Sequence, residues 1–408
     1  GGDLTPPGGA TNKVEEYDGS SFSEVNTYPT NIQTNAVSGI QTSALSFGGS
    51  VPPYTTATNK YDGTSFTATG SLGAVISGQN TLKTAPNNST GLSMGGYGAS
   101  SYVGTSEEFT SSANVITGAA WASSPALNTA RHTMGSTGTT TAALCVGGQP
   151  GPGYYNKTEE YNGSSWSEVT NYPLAIVSVG STGPQTAALL FGGNTYPPSV
   201  DRTDSFTYDG SSFSSAPALP VGRRGLNSTG IGSQTAALQT GGQTPANSFN
   251  TSAEYDGSSW TAGNAMNTVR YGHGGFGTQT AAAVAGGAGA APPYAPQTNV
   301  EEYDGTSFTS VNPLNTARDA TASTNLGTQT DAMVMGGGQP SKANCEAYDG
   351  TTFSTRASLA TARQQLGGSG PSSTSALAFG GYSTTTVNIS EEFTGETSAL
   401  NVKTLTQS

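Results

Sequence analysis

Charge is what this chain has least of. Only 10% of its 408 residues are charged, and 14 Lys and Arg stand against 26 Asp and Glu for a net charge of −12. Binding to a nucleic-acid backbone needs a basic footprint that displaces counterions, so no nucleic-acid partner is expected. Long apolar runs are missing as well. No stretch reaches the roughly 18 apolar residues of a membrane-spanning helix, and the strands lack the outward apolar band of a membrane barrel, so no membrane insertion is expected. The two cysteines, Cys145 and Cys345, lie 200 residues apart and read as buried or edge thiols rather than a disulfide framework. The two histidines, His132 and His273, stand at different offsets from their neighbours Arg131 and Arg270. They therefore form no repeated ligand or acid–base pattern, and no metal, cofactor or catalytic residue is expected.

What fills the chain instead is a repeat. "TEEYNGSSWSEV" (158–169) returns as "VEEYDGSSFSEV" (14–25) and "VEEYDGTSFTSV" (300–311). Asp-Gly and Asn-Gly tolerate the positive φ of a two-residue type I′ turn, so each phrase predicts a hairpin. A second marker, a small-residue strand ending in Gly-Gly, places its glycine pairs at 48, 95, 147, 192, 241, 286, 336 and 380, with spacings between 44 and 52 residues. Four short strands in a period of this size predict an all-β fold, a β-propeller of about eight four-stranded blades. Within a unit, strand a precedes the small-residue strand b, strand c ends at the Tyr before Asp-Gly, and strand d holds the next Phe or Trp. All three tryptophans (Trp121, Trp166, Trp260) fall at the strand d position, where burial of the ring stabilises a blade by about 2–3 kcal/mol.

The chain opens on Gly1-Gly2, which resembles the end of a strand b. The expected domain is residues 1–386, with N-terminal strands in 12–26 closing the ring against 366–381. Residues 387–408 are then either a C-terminal extension or the final strands of a last blade.

Two sets of polar residues are candidates for binding. Arg131, Arg224, Arg270, Arg318 and Arg363 each precede a strand a, 16 to 18 residues before the Gly-Gly pair. Equivalent placement in five blades would set them in a partial ring, either bonding within the structure or capturing an anionic ligand. The b–c connections are rich in Pro and Tyr and supply Tyr54, Tyr154, Tyr155, Tyr196 and Tyr294. A stiff loop bearing an amphipathic ring suits contact with a sugar or a protein. The recurring Glu-Glu pairs, by contrast, occupy one repeat position and so read as architecture.

The order Gly-Gly, Tyr-Asp, Trp or Phe, then Pro-Leu with Arg resembles the kelch repeat, seen in "GGQPGPGYYNKTEEYNGSSW" (147–166) and "NPLNTARDA" (312–320). The combination of "GTQTAAAVAGG" (277–287), "EEYDGTSF" and "PLNTAR" further resembles kelch-like propellers of marine bacteriophages, taken to be virion or tail-associated proteins. The resemblance implies a non-enzymatic structural propeller, extracellular on the virion surface or a tail appendage such as a tail fiber, acting in assembly or host attachment. Its partners would be other virion proteins and a host surface glycan or receptor, with homo-oligomer formation left open. The alternative is a secreted, lectin-like, carbohydrate-binding propeller.

Overall fold

The computed structural model describes residues 10–50, 54–75, 77, 80–81, 90–98, 100–110, 114–226, 230–289 and 294–400. Among them all regular structure is β-strand. The chain divides into two compact units, Gly118–Thr397 and a first unit of Gly1–Thr117 with Ser398–Ser408.

The second unit holds six antiparallel four-stranded sheets. Blade 1 is Gly135–Gly138, Ala143–Val146, Thr158–Tyr161 and Trp166–Glu168. Blade 2 is Gly180–Thr182, Ala188–Phe191, Ser205–Tyr208 and Phe213–Ala216. Blade 3 is Ile231–Gly232, Ala237–Thr240, Ser252–Tyr255 and Trp260–Gly263. Blade 4 is Gly274–Thr278, Ala281–Ala285, Val300–Tyr303 and Phe308–Val311. Blade 5 is Ala322–Ser323, Ala332–Met335, Cys345–Tyr348 and Phe353–Arg356. Blade 6 takes Gly367–Ser372, Ser375–Phe379 and Ser390–Thr394 from one end of the unit, and its strand d, Ala120–Ser124, from the other.

Each part of the repeat has a physical task. Strands c and d meet just before the turn as an aromatic pair, with Tyr161–Trp166, Tyr303–Phe308 and Tyr348–Phe353 centroids at 5.1, 4.5 and 4.6 Å. The loop between them is four residues long, wider than the two-residue turn expected from Asp-Gly. In Asp209–Ser212 the Asp209 carboxylate accepts the Ser211 and Ser212 amides at 2.8 and 2.7 Å, while Gly210 takes φ +90°. The Ser211 hydroxyl, which also donates to this carboxylate, and the two amides hold the Asp209 carboxyl down, to about 2. Between blades, the Gln of the a–b turn acts as a staple. Gln185 Nε2 donates to Ala143 O and Tyr161 O of the preceding blade, and Gln234, Gln279 and Gln329 repeat this contact. Both glycines of the Gly-Gly pair adopt positive φ, and a Cβ on Gly147 would lie 2.4 Å from Ile176 O of the next linker. Close backbone approach is therefore what the pair provides.

Six residues just before strand a circle the axis: Thr133, Ser178, Gly225, Gly272, Ala320 and Gln365. All are left-handed, with φ between +49° and +78°. This conformation turns each carbonyl toward the blade after, where it accepts an amide of that blade. Ser178 N donates to Thr133 O (2.8 Å), Gly272 N to Gly225 O (2.9 Å), Gln365 N to Ala320 O (2.7 Å) and Thr133 N to Gln365 O (2.8 Å). Leu226 N to Ser178 O (3.3 Å) and Thr321 N to Gly272 O (3.4 Å) complete the circuit. Sixth and first blades thus meet as the others do, and Leu377 and Phe379 pack with Met134, Cys145 and Trp166 across the seam.

The first unit contains the hairpin Glu15–Tyr17 and Phe22–Glu24, a four-stranded sheet (Ala36–Ile40, Ser43–Phe47, Ala57–Tyr61, Phe66–Ser71) and a three-stranded sheet (Asn80–Thr81, Thr90–Tyr97, Tyr102–Thr110). Its core is Ala36, Leu45, Phe47, Leu72 and Phe109. Counting both units, eight blade-type sheets are present among the described residues, seven of four strands and one of three, but six of them close the ring.

The expected closure of 366–381 by 12–26 is corrected. Residues 366–381 hold strands a and b of blade 6, whose partners are Ser390–Thr394 and, beyond it, Ala120–Ser124. Trp121 fixes this pairing: it stands opposite Phe393 with centroids 5.3 Å apart and donates its indole N–H to Ala357 O. The 15–24 hairpin instead serves the first unit, where Glu16 accepts the Tyr61 hydroxyl at 2.6 Å. Residues 390–394 are accordingly final-blade strand; 1–9 and 401–408 lie outside the described residues. A chain spanning 118–400 should unfold cooperatively as a ring, whereas one beginning at residue 126 leaves the 390–394 edge open. Calorimetry should show the shorter chain melting about 10 °C lower or more, since a lost aromatic strand costs on the order of 3–5 kcal/mol.

Candidate functional site at the mouth of the ring

The arginines before strand a are structural. Arg131, Arg270, Arg318 and Arg363 are completely buried and ion-paired to Glu159, Glu301, Glu346 and Glu391 of their own blades. The last three pairs are 2.6, 2.6 and 2.7 Å long, and each arginine also donates to the carbonyl of the first Gly of its Gly-Gly pair. They are not available to a ligand. The equivalent residue in blade 3 is Arg223, which donates to Gly241 O at 2.8 Å, rather than the expected Arg224. Arg224 is displaced toward the mouth, where its guanidinium stands 3.8 Å from Asp201.

Each buried carboxylate has a second duty. Its other oxygen accepts a backbone N–H from the linker of the preceding blade: Asn128 on Glu159 (2.8 Å), Asn267 on Glu301 (2.6 Å), Asn315 on Glu346 (2.7 Å) and Ala360 on Glu391 (2.6 Å). In blades 2 and 3 the glutamate is replaced by Phe206 and Ala253, and the linker residue is Pro173 and Pro220. Within the first unit the same rule holds, with Gly73 N on Glu107 Oε2 (2.8 Å), but Pro29 where Asn59 replaces the glutamate. Proline has no N–H to satisfy, so acid and donor disappear together. Blade 2 also exchanges Arg for Ile176, giving an apolar contact. Blade 3 keeps Arg223 without an acid, and burial lowers its pKa to about 10. Its charge rests against the Phe249 ring, 4.8 Å away.

With the arginines assigned to architecture, the mouth of the ring remains. The residue after each arginine position pairs with the residue after each Gly-Gly: His132 with Gln149, Val177 with Asn194, Arg224 with Gln243, Tyr271 with Ala288, Asp319 with Gly338 and Gln364 with Tyr382. They surround a cup of about 260 Å³ lined by the left-handed ring residues together with Gln243, Tyr271, Asp319, Gln339 and Gln364. Inside the ring, Asn325 of blade 5 reaches blade 1 and donates to Ser136 O at 2.9 Å.

Aromatic pairs stand around this face. Tyr154 approaches Tyr196 at 5.8 Å, Tyr294 approaches Tyr271 at 6.4 Å, and His132 approaches Tyr382 at 5.7 Å. Tyr155 instead lies under Arg131 at 5.9 Å, and Tyr54 belongs to the first unit, half-buried. Residues 51–53 and 290–293 of two b–c loops lie outside the described residues. Sequence reasoning missed Asp319, Gln364, Gln365, Gln243 and Tyr271. The available signal was variation at a fixed repeat offset: the two residues after the arginine position change identity from blade to blade while their surroundings repeat.

His273 is fully buried and bonds Thr240 Oγ1 through Nε2 at 2.9 Å; burial and nearby Arg270 hold its pKa well below 6.5. Burial pushes the thiols of Cys145 and Cys345 up to about 12 and 11. Among the described residues no cluster of three His, Cys, Asp or Glu could hold a metal ion, and no helix is long and apolar enough to cross a membrane.

These features define a β-propeller. No family model and no curated protein matches the chain. Among solved structures it is similar to YjhT, a β-propeller, with TM-score 0.53 and 12% identity over 67% of this chain and 99% of that one.

Two stability measurements check the internal contacts. Arg270→Met should cost about 3–5 kcal/mol in urea unfolding because it leaves Glu301 buried and unpaired, whereas Arg223→Met, with no acid to strand, should cost under about 1.5 kcal/mol. For His273 the unfolded state binds the extra proton, so its contribution is complete above pH 6.5 and is lost as pH falls toward the depressed native value. His273→Gln should therefore flatten the pH dependence of the urea midpoint below pH 6.5, while the unchanged slope would contradict a buried neutral imidazole.

Proposed function

We propose that this chain is a non-enzymatic recognition propeller of a bacteriophage, carried on the virion surface or a tail appendage, where it contacts other virion proteins and attaches the particle to its host. The observation that carries the reading is a division of labour. Conspicuous charged groups of the kelch-like repeats are consumed by internal pairs and linker amides, whereas the mouth residues vary from blade to blade. A surface free to vary on a fixed scaffold suits attachment, and the resemblance of the repeats to those of phage structural proteins supports a virion location. The secreted, lectin-like alternative gains support from the tyrosine pairs beside the cup. Immunogold electron microscopy of the native source distinguishes the two. Antibody to the chain should label particles or their tails, and purified protein should compete with particle adsorption. Unlabelled particles with the protein free in the medium would overturn the virion assignment.

A further inference from the structure

We propose that the cup at the mouth of the six-bladed ring binds one ring of a neutral saccharide, with its hydroxyls donating to the Asp319 carboxylate and its flat face lying against Tyr271. This inference deepens the recognition reading above, on which it rests, and is independent of the protein's location.

Two separate observations point to the same spot. Asp319 is only 8% exposed, yet its Oδ1 has no hydrogen-bond partner. A buried carboxylate oxygen left in this way is costly unless a donor arrives. The nearest cation does not supply one, because Lys342 Nζ donates to Gly338 O at 2.8 Å and Pro340 O at 3.3 Å. Beside that oxygen a glycine makes room for the Gln364 carboxamide, which lines the cup. Gln149, Asn194, Gln243, Ala288 and Tyr382 occupy the bridge position in the other blades, but blade 5 has Gly338. A Cβ there would lie 3.1 Å from Asp319 Oδ1 and 2.1 Å from the Gln364 carboxamide.

The lining then selects the ligand. Thr133, Ser178, Gln243, Gln364 and Gln365 offer neutral groups that both donate and accept, the complement of a polyol. Arg224 and Lys342 already place positive charge at this face, so a cationic ligand gains little over a neutral one. The volume of about 260 Å³ is slightly below the roughly 300 Å³ at which pockets for drug-sized ligands begin, which limits the occupant to about one sugar ring. Tyr271, with Tyr294 at 6.4 Å, supplies an aromatic surface at the edge.

The test is saturation-transfer NMR and calorimetric titration of the full chain with neutral saccharides chosen from a glycan array, alongside simple alkylammonium ions. Wild type should bind a subset of the saccharides. Asp319→Asn should weaken binding about tenfold or more, as expected for loss of charge-assisted hydrogen bonds, and Gly338→Ala should weaken it as well by pushing the Gln364 carboxamide out of its place in the cup. Both variants should keep the wild-type melting temperature within a few degrees, and Glu168→Gln on an outer strand should bind as wild type. Absence of saccharide binding, preference for the ammonium ions, or affinity unchanged in both cup variants would each overturn the proposal. None of these results depends on whether the protein is found on particles.

Discussion

The constraint on which the rest depends is closure of the ring at its axis. Blades are wedges of four strands, and nothing within a wedge fixes how many of them complete a turn. Here that number is set by backbone hydrogen bonds passed through six left-handed residues, Thr133, Ser178, Gly225, Gly272, Ala320 and Gln365. Left-handed backbone costs roughly 1–2 kcal/mol for a residue with a Cβ, and four of the six carry one. The circuit and the interdigitated blade cores offset that cost. Once this ring is in place, the residue just before it in each blade stands at the mouth, and it follows that the cup is a product of closure rather than of any single blade.

Outside the axis the blades are held by exchanges that obey a common logic. A buried arginine needs an acid, the acid has a spare oxygen, and the spare oxygen takes the N–H of the incoming linker. Where the linker residue is proline the acid is absent, in both units. The glutamate is thus retained for the backbone as much as for the arginine, and its loss in blade 3 leaves Arg223 to an aromatic ring and carbonyl oxygens. The glutamate one position further along strand c is also employed in three blades: Glu160, Glu254 and Glu302 accept the tyrosine hydroxyl of the following blade. Burial, and then the hydrogen bond to the carboxylate, raises the pKa values of Tyr208, Tyr303 and Tyr348 and holds their hydroxyls protonated.

Much of this was readable in the repeat. The Gly-Gly spacing locates every strand b, and the Tyr-Asp-Gly or Tyr-Asn-Gly phrase locates the c–d hairpins of blades 1 to 5, because local propensity and packing agree at those positions. Closure was not readable, since it joins Ala120–Ser124 to Ser390–Thr394, a pairing between distant segments that look like all their counterparts. The Asp-Gly turn misled on loop length because the carboxylate captures the two following amides and favours a wider loop. Arg224 was chosen over Arg223 because two adjacent arginines differ by one residue, within the variation of loop length from unit to unit. Asp319 escaped because a varying residue in a repeat resembles loop noise until geometry gathers its counterparts around one cavity.

Amide hydrogen exchange resolved at individual residues tests closure most directly. In a closed ring Thr133 N, bonded to Gln365 O across the seam between first and last blades, must exchange as slowly as Ser178 N, its counterpart between the first and second blades. Exchange at Thr133 faster by orders of magnitude than at Ser178, in the intact chain at neutral pH, would show an open arc and contradict the six-bladed ring.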